Sequence, residues 1–168
     1  MGRSPEPEED READPESVAR AILLRQLTLG PKTRHQLAEK LRGRNVPEDV
    51  AQAVLTRFED VGLINDAEFA GMWVRTRSSG KSLSKAALRR ELAQKGIVGA
   101  AAEGALSDLS DDDELEAARR LVARKRRPVD ATDLSARDKE LRRLASMLAR
   151  KGHSSGRAFR LAAEALDG

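Results

Sequence analysis

Shifted against itself by 51 residues, the sequence lays apolar positions on apolar positions. Val18, Ala21 and Ile22 fall on Phe69, Met72 and Trp73; Leu37, Leu41 and Val46 fall on Leu88, Leu92 and Ile97. Val50, Val54, Leu55 and Phe58 fall on Ala101, Ala105, Leu106 and Leu109. Helix-start residues coincide too, Asp14 with Asn65 and Thr33 with Ser84. A third copy is opened by Asp111 and Leu115, and its Leu144, Leu148 and His153 repeat the spacing of Leu37, Leu41 and Val46. It carries about ten extra residues within Arg124–Arg137, and its last helix, Gly156–Leu166, aligns only loosely. Such a period means a supersecondary unit that cannot bury its apolar face alone and stacks on its neighbours.

Each copy reads as three helices. Asp14 supplies an N-cap with Pro15 at the first helical position, where a missing N–H costs nothing. Asn65 with Glu68, and Thr33 with Gln36, have capping-box spacing. Gly30-Pro31 and Ser79-Gly80 are expected to break the chain between first and second helices. Asn45-Val46-Pro47 and Gly96 end the second helices, because Asn and Gly tolerate the left-handed conformation past a helix end; Gly62-Leu63 reads as a similar stop. Phe69 and Trp73 are the largest core candidates. The chain is rich in Ala, Leu, Arg and Glu, with only 2% aromatic residues, which favours helix over strand. The expected fold is therefore all-α, three tandem three-helix (helix-turn-helix-like) repeats in an elongated array. Its divisions are an acidic disordered tail over 1–14 and repeats over 15–64, 65–110 and 111–168.

Charge is unevenly placed. Met1–Glu16 carries seven acids and two Arg, whereas Ser17–Gly168 has a net charge of +8. A basic body suits a polyanion or an acidic protein surface, and the acidic tail could compete with DNA for it. With no cysteine there are no disulfides or thiolate metal sites. No apolar run approaches the ~20 residues that span a bilayer. A cytoplasmic protein is expected, without a membrane partner and monomeric.

The second repeat contains Asp66-Ala67-Glu68-Phe69-Ala70, Trp73-Val74-Arg75-Thr76-Arg77, Gly80, and Leu88-Arg89-Arg90-Glu91-Leu92-Ala93-Gln94-Lys95-Gly96-Ile97. This ordered set resembles the signature of the bacterial RecX family, the regulators of the RecA recombinase. The first repeat fits as well, through Leu37-Ala38, Leu41, Phe58 and Gly62-Leu63-Ile64-Asn65-Asp66. The third departs: where the family usually has a Gly-Phe step before its last helix, this chain has Arg150-Lys151-Gly152-His153. The resemblance implies a curved, non-enzymatic protein that binds the RecA–DNA filament. It would restrain ATP hydrolysis and strand exchange in DNA repair, homologous recombination and the SOS response. Single- and double-stranded DNA would be bound weakly and without sequence preference.

Three basic sets are candidates for that contact. The first is Arg75, Arg77, Lys81, Lys85, Arg89, Arg90 and Lys95, with Arg75 and Arg77 flanking the expected Ser78-Ser79-Gly80 turn. The second is Arg124, Lys125, Arg126 and Arg127, and the third is Arg142, Arg143, Arg150 and Lys151. Phosphate contacts need charge and reach but no base reading, and carboxylates on a recombinase would serve as well. The alternative is solubilising charge with partners one turn away, such as Glu91 with Lys95. For Arg124–Arg127, four cations in a row without an acid, contact is expected. No aromatics interleave with these bases, so base stacking is not a main source of energy.

Catalytic chemistry is not evident. His35 and His153 lie in different repeats without a second ligand at zinc spacing, and His153 is expected as a semi-buried helix-end residue. Asp111-Asp112-Asp113-Glu114 is explained by the helix dipole. No cofactor, metal or catalytic residue is expected. Two rival functions remain open. Ser17–Asp66 also resembles the three helices of a winged-helix transcription regulator, with the helix from about Pro47 entering the major groove, although no strand pair follows Ile64. The other rival is a helical scaffold with protein partners only.

Overall fold

The computed structural model describes residues 13–168, and the expected tail lies outside them but for its last two residues. Among the described residues there are nine helices and no strand. The chain divides after Asn65 into two compact units. The first holds α1 (Pro15–Thr28), α2 (Arg34–Gly43) and α3 (Glu48–Asp60) around Leu23, Leu37, Leu41, Leu55 and Phe58. The second holds α4 (Asp66–Lys81), α5 (Lys85–Gln94) and α6 (Ala100–Ser107) around Phe69, Val74, Leu88, Leu92 and Leu106. It also holds α7 (Asp111–Lys125), α8 (Leu134–Arg150) and α9 (Ser155–Asp167) around Leu121, Val122, Leu144, Leu148 and Leu161. The all-α, three-repeat reading is thus the observed architecture.

Local chemistry fixes the repeat. Asp14 caps α1, and Thr33 and Gln36 form a complete capping box on α2. Ser84, 51 residues after Thr33, caps α5. Each second helix ends alike: Asn45, Gly96 and Gly152 have φ of 59°, 79° and 91°. The N–H groups of Val46, Ile97 and His153 then turn back onto the carbonyls of Leu41, Leu92 and Leu148, at 3.1, 2.9 and 3.2 Å. This closure satisfies carbonyls the helix leaves orphaned and presses the following side chain onto the core. His153 fills the slot of Val46 and Ile97, and is buried rather than semi-buried.

Several expectations are corrected. The chain does not break at Ser79-Gly80. Helix α4 runs on to Lys81, with the Ser79 hydroxyl donating to the Arg75 carbonyl at 2.7 Å, and the break falls at Ser82, φ 52°. The cap of α7 is Ser110, not Asp111. In α1 the buried line is Ala19 and Leu23, while Ala21 is exposed. That helix carries apolar residues on most sides, so spacing alone does not select its inner face. Helix α9 starts at Ser155, one residue before the expected start. Trp73 is only partly buried, because its indole N–H must reach a polar partner.

Candidate functional site

Among the described residues no group of side chains could hold a metal ion, and no helix is long and apolar enough to cross a membrane. The chemistry of the chain is that of its cations, which the structure sorts into two kinds.

One kind is held within the protein. Arg77 grips Glu91 with Nε at 3.0 Å and Nη2 closer still, while the Trp73 indole donates to the same carboxylate at 2.8 Å. The Arg77 guanidinium lies 5.1 Å from the Trp73 ring centre, and Lys95 Nζ lies 4.3 Å from it. Arg77 holds the Glu91 carboxyl below its ordinary value; burial opposes this and the indole N–H assists. Arg89 pairs with Glu103 through both Nε and Nη2, at 2.7 and 3.1 Å. Lys85 Nζ reaches Asp111 at 3.0 Å. Arg143 binds Glu140 at 2.8 and 2.6 Å and the Lys125 carbonyl at 2.6 Å. Arg126 donates to the Ala165 carbonyl at 2.6 Å, satisfying the C-terminus of α9. Arg142 pairs with Asp138 at 3.1 Å on an exposed face, a bond worth little.

Of the residues expected to make the contact, others have no ion pair among the described residues: Lys81, Arg90, Arg124, Lys125, Arg150 and the half-buried Lys151. Arg75 is also exposed, lying along α4 beside Gly71 and facing α6. Arg75 and Arg77 do not flank a turn, since both lie inside α4. Arg127 is exposed, and its backbone N–H donates to Glu140 at 2.9 Å. The run Arg124–Arg127 therefore does several jobs. Arg124 lines a recess with Ser78, Ser79 and Arg120, Lys125 is open, Arg126 is a helix cap, and the Arg127 backbone closes the long α7–α8 connection.

Three acids organise the basic pattern in ways the sequence does not show: Glu91, expected as a partner of Lys95 but gripped by Arg77 and Trp73, Glu140, which the sequence does not single out, and Glu114, expected only as a helix-start acid. Glu114 is buried where the second and third repeats meet. It accepts from the Lys85 N–H at 3.2 Å and from Arg157 Nη1 at 2.5 Å, and lies 3.8 Å from His153 Nδ1. His153 Nε2 is 3.2 Å from the Ser82 carbonyl, and the Ser84 N–H donates to the Lys151 carbonyl at 3.0 Å. Helix-start acids are commonplace, so the only sequence signal for Glu114 is its heptad-like spacing with Leu121.

Residues 65–106 match the second three-helix domain of RecX, and residues 19–58 match its first. The regulatory protein RecX of Streptomyces coelicolor is 54% identical over 154 residues, spanning 92% of this chain and 80% of that protein. The RecX of Thermobifida fusca is 45% identical over 149 residues, spanning 89% and 79%. The chain belongs to the RecX family. The crystal structure of RecX from Lactobacillus salivarius superposes with a TM-score of 0.75 at 26% identity, covering 92% of this chain and 98% of that one. These relatives carry the name of regulatory proteins, and a RecX regulatory role follows for this chain. The run that suggested the family, Trp73, Arg77, Glu91 and Lys95, is one contact cluster between α4 and α5.

Proposed function

We propose that this chain binds the RecA–DNA filament and restrains its ATP hydrolysis and strand exchange, acting in DNA repair and recombination in the cytoplasm. Its partners would be RecA together with single- and double-stranded DNA, bound weakly and without sequence preference. Membership of the RecX family supports the reading. The observation that carries it is a group of cations on the second unit that have no ion pair among the described residues, among them Lys81, Arg90, Arg124, Lys125, Arg150 and Lys151. Charge left without a partner in a monomer is available to an anionic surface. A major-groove reader draws no comparable support. The first turn of α3, which would enter the groove, carries Glu48 and Asp49, and acids there repel phosphates. The test is the DNA-dependent ATPase of pre-formed RecA filaments from the same source, titrated with this protein. Slowing at substoichiometric ratios is expected; an unchanged rate across a wide concentration range overturns the proposal.

A further inference from the structure

Helices α4 and α7 end on Lys81 and Lys125, and α8 is capped by Lys151. All three ends lie in the second unit, two of them tied by a backbone hydrogen bond and the third by a side chain of α8. The Lys151 carbonyl accepts the Ser84 N–H, three residues past Lys81. Gly152 is pressed against Ala87, where a Cβ would come within 2.6 Å of the Ala87 Cβ. The Lys125 carbonyl is held by Arg143, two turns before Lys151 on α8. Arg77 stands one turn before Lys81 on α4.

A lysine at a helix C-terminus is ordinarily explained by the helix dipole, worth about 0.3–1 kcal/mol. That explanation does not suffice for three of them brought together. Burial, and then the charges of Lys81, Arg77 and Lys125, push the Lys151 ammonium below its ordinary value. Repulsion therefore adds to burial in opposing the charge that the helix end favours. The acid that faces Arg77 and Lys81 is Glu91, and it is already engaged by Arg77 and Trp73. The cluster keeps an excess of positive charge that costs folding stability.

We propose that the convergent ends of α4, α7 and α8 form a phosphate-binding site, in which Lys81, Lys125 and Lys151 contact consecutive phosphates of a nucleic-acid backbone. The inference rests on the filament reading above and assigns this patch to the DNA rather than to carboxylates of the recombinase. Lysines suit it as point charges that tolerate a variable backbone. The Trp73 face is covered by Arg77 and Lys95, so no base stacks there.

The experiment measures binding of a fluorescent oligo-dT, without recombinase, to the wild type and to the triple variant Lys81→Gln, Lys125→Gln, Lys151→Gln. A control variant, Lys40→Gln, Arg44→Gln, Lys139→Gln, removes the same charge elsewhere. Losing three phosphate contacts lowers the slope of log K against log salt by about 2. Near ~0.1 M salt, affinity falls about a hundredfold, at ~0.7 counterion per phosphate. The control should lose less than a third of that slope change. The triple variant should also melt at a higher temperature, which separates lost binding from lost folding. An oligonucleotide that binds and protects Lys151 from amine acylation would place the contact. A triple variant indistinguishable from the control overturns the site. If it binds DNA normally but loses the recombinase filament, the patch serves an acidic protein surface; the site then fails while the filament reading survives. Absence of any effect of the wild type on the filament ATPase overturns that reading instead.

Discussion

Replacing Glu114 by Ala removes a carboxylate that joins three elements: the first turn of α5 through the Lys85 N–H, α9 through Arg157, and the α8–α9 turn beside His153. Breaking a fully buried pair from one side costs about 3–5 kcal/mol. The Glu114 side chain is 8% exposed but that of Arg157 is 30% exposed, so the stranded guanidinium recovers part of its hydration. The Lys85 N–H, left without an acceptor, adds a penalty of about 1–2 kcal/mol. A net loss of about 3 kcal/mol is expected. In a domain of ~100 residues each kcal/mol moves Tm by about 4–8 °C, so the second unit should melt roughly 12–24 °C lower. Glu114→Gln keeps an acceptor for Lys85 and should lose about half as much. Asp112→Ala, on an exposed position of the same helix start, should stay within about 1 kcal/mol of wild type. Calorimetry of the three variants is the measurement. A Glu114→Ala protein that melts with Asp112→Ala would refute the claim that this carboxylate ties the second repeat to the third.

Two further outcomes follow from the same structure. Gly152→Ala combines φ 91° with a collision against Ser84 Oγ and Ala87 and should cost more than ~3 kcal/mol. Gly62→Ala, at φ 79° but in open space, should cost only about 1–2 kcal/mol, and equal urea midpoints for the two would contradict the packing described. Glu91 titrates below its ordinary 4.5, so its stabilising contribution is full above that pH and is lost as pH falls through the lower folded value. Glu91→Gln should therefore flatten the acid limb of stability against pH below about 4.5, and parallel limbs would remove Arg77 as the cause of the shift.

Features set by neighbours along the chain were legible before the structure, whereas those set by neighbours in space were not. Asn45 and Gly96 announce the same helix stop because a left-handed residue followed by one packed on the core is a local requirement; Gly152 makes the third stop, although the His153 after it reads as a departure. The capping residues Asp14, Thr33 and Ser84 are legible for the same reason. Ser78-Ser79-Gly80 misleads because hydroxyls that could open a turn instead bond back to the carbonyl of Arg75. Glu114 looks like its neighbours Asp111, Asp112 and Asp113 until α5 and α9 close over it. The run Arg124–Arg127 looks uniform, yet Arg126 is spent on the end of α9.

This division has a consequence for where function resides. Trp73, Arg77, Glu91 and Lys95 make the chain recognisable, and they satisfy one another: the indole and the guanidinium share one carboxylate, and the lysine lies over the ring. A satisfied cluster has little left for a partner, so its replacement acts first on folding. Lys81, Lys125 and Lys151 form no motif, being scattered over the sequence and adjacent only because three helices end together. Burial, and after it the charges of Lys81, Arg77 and Lys125, displace the Lys151 titration downward, so holding this ammonium charged works against the isolated protein. A polyanion bound there, as proposed above, would remove that cost. The two classes should therefore separate under mutation. Changes in the Trp73–Glu91 cluster lower stability and binding together, whereas changes in the lysine cluster raise stability while binding falls. The second pattern is the mark of a surface kept for a ligand.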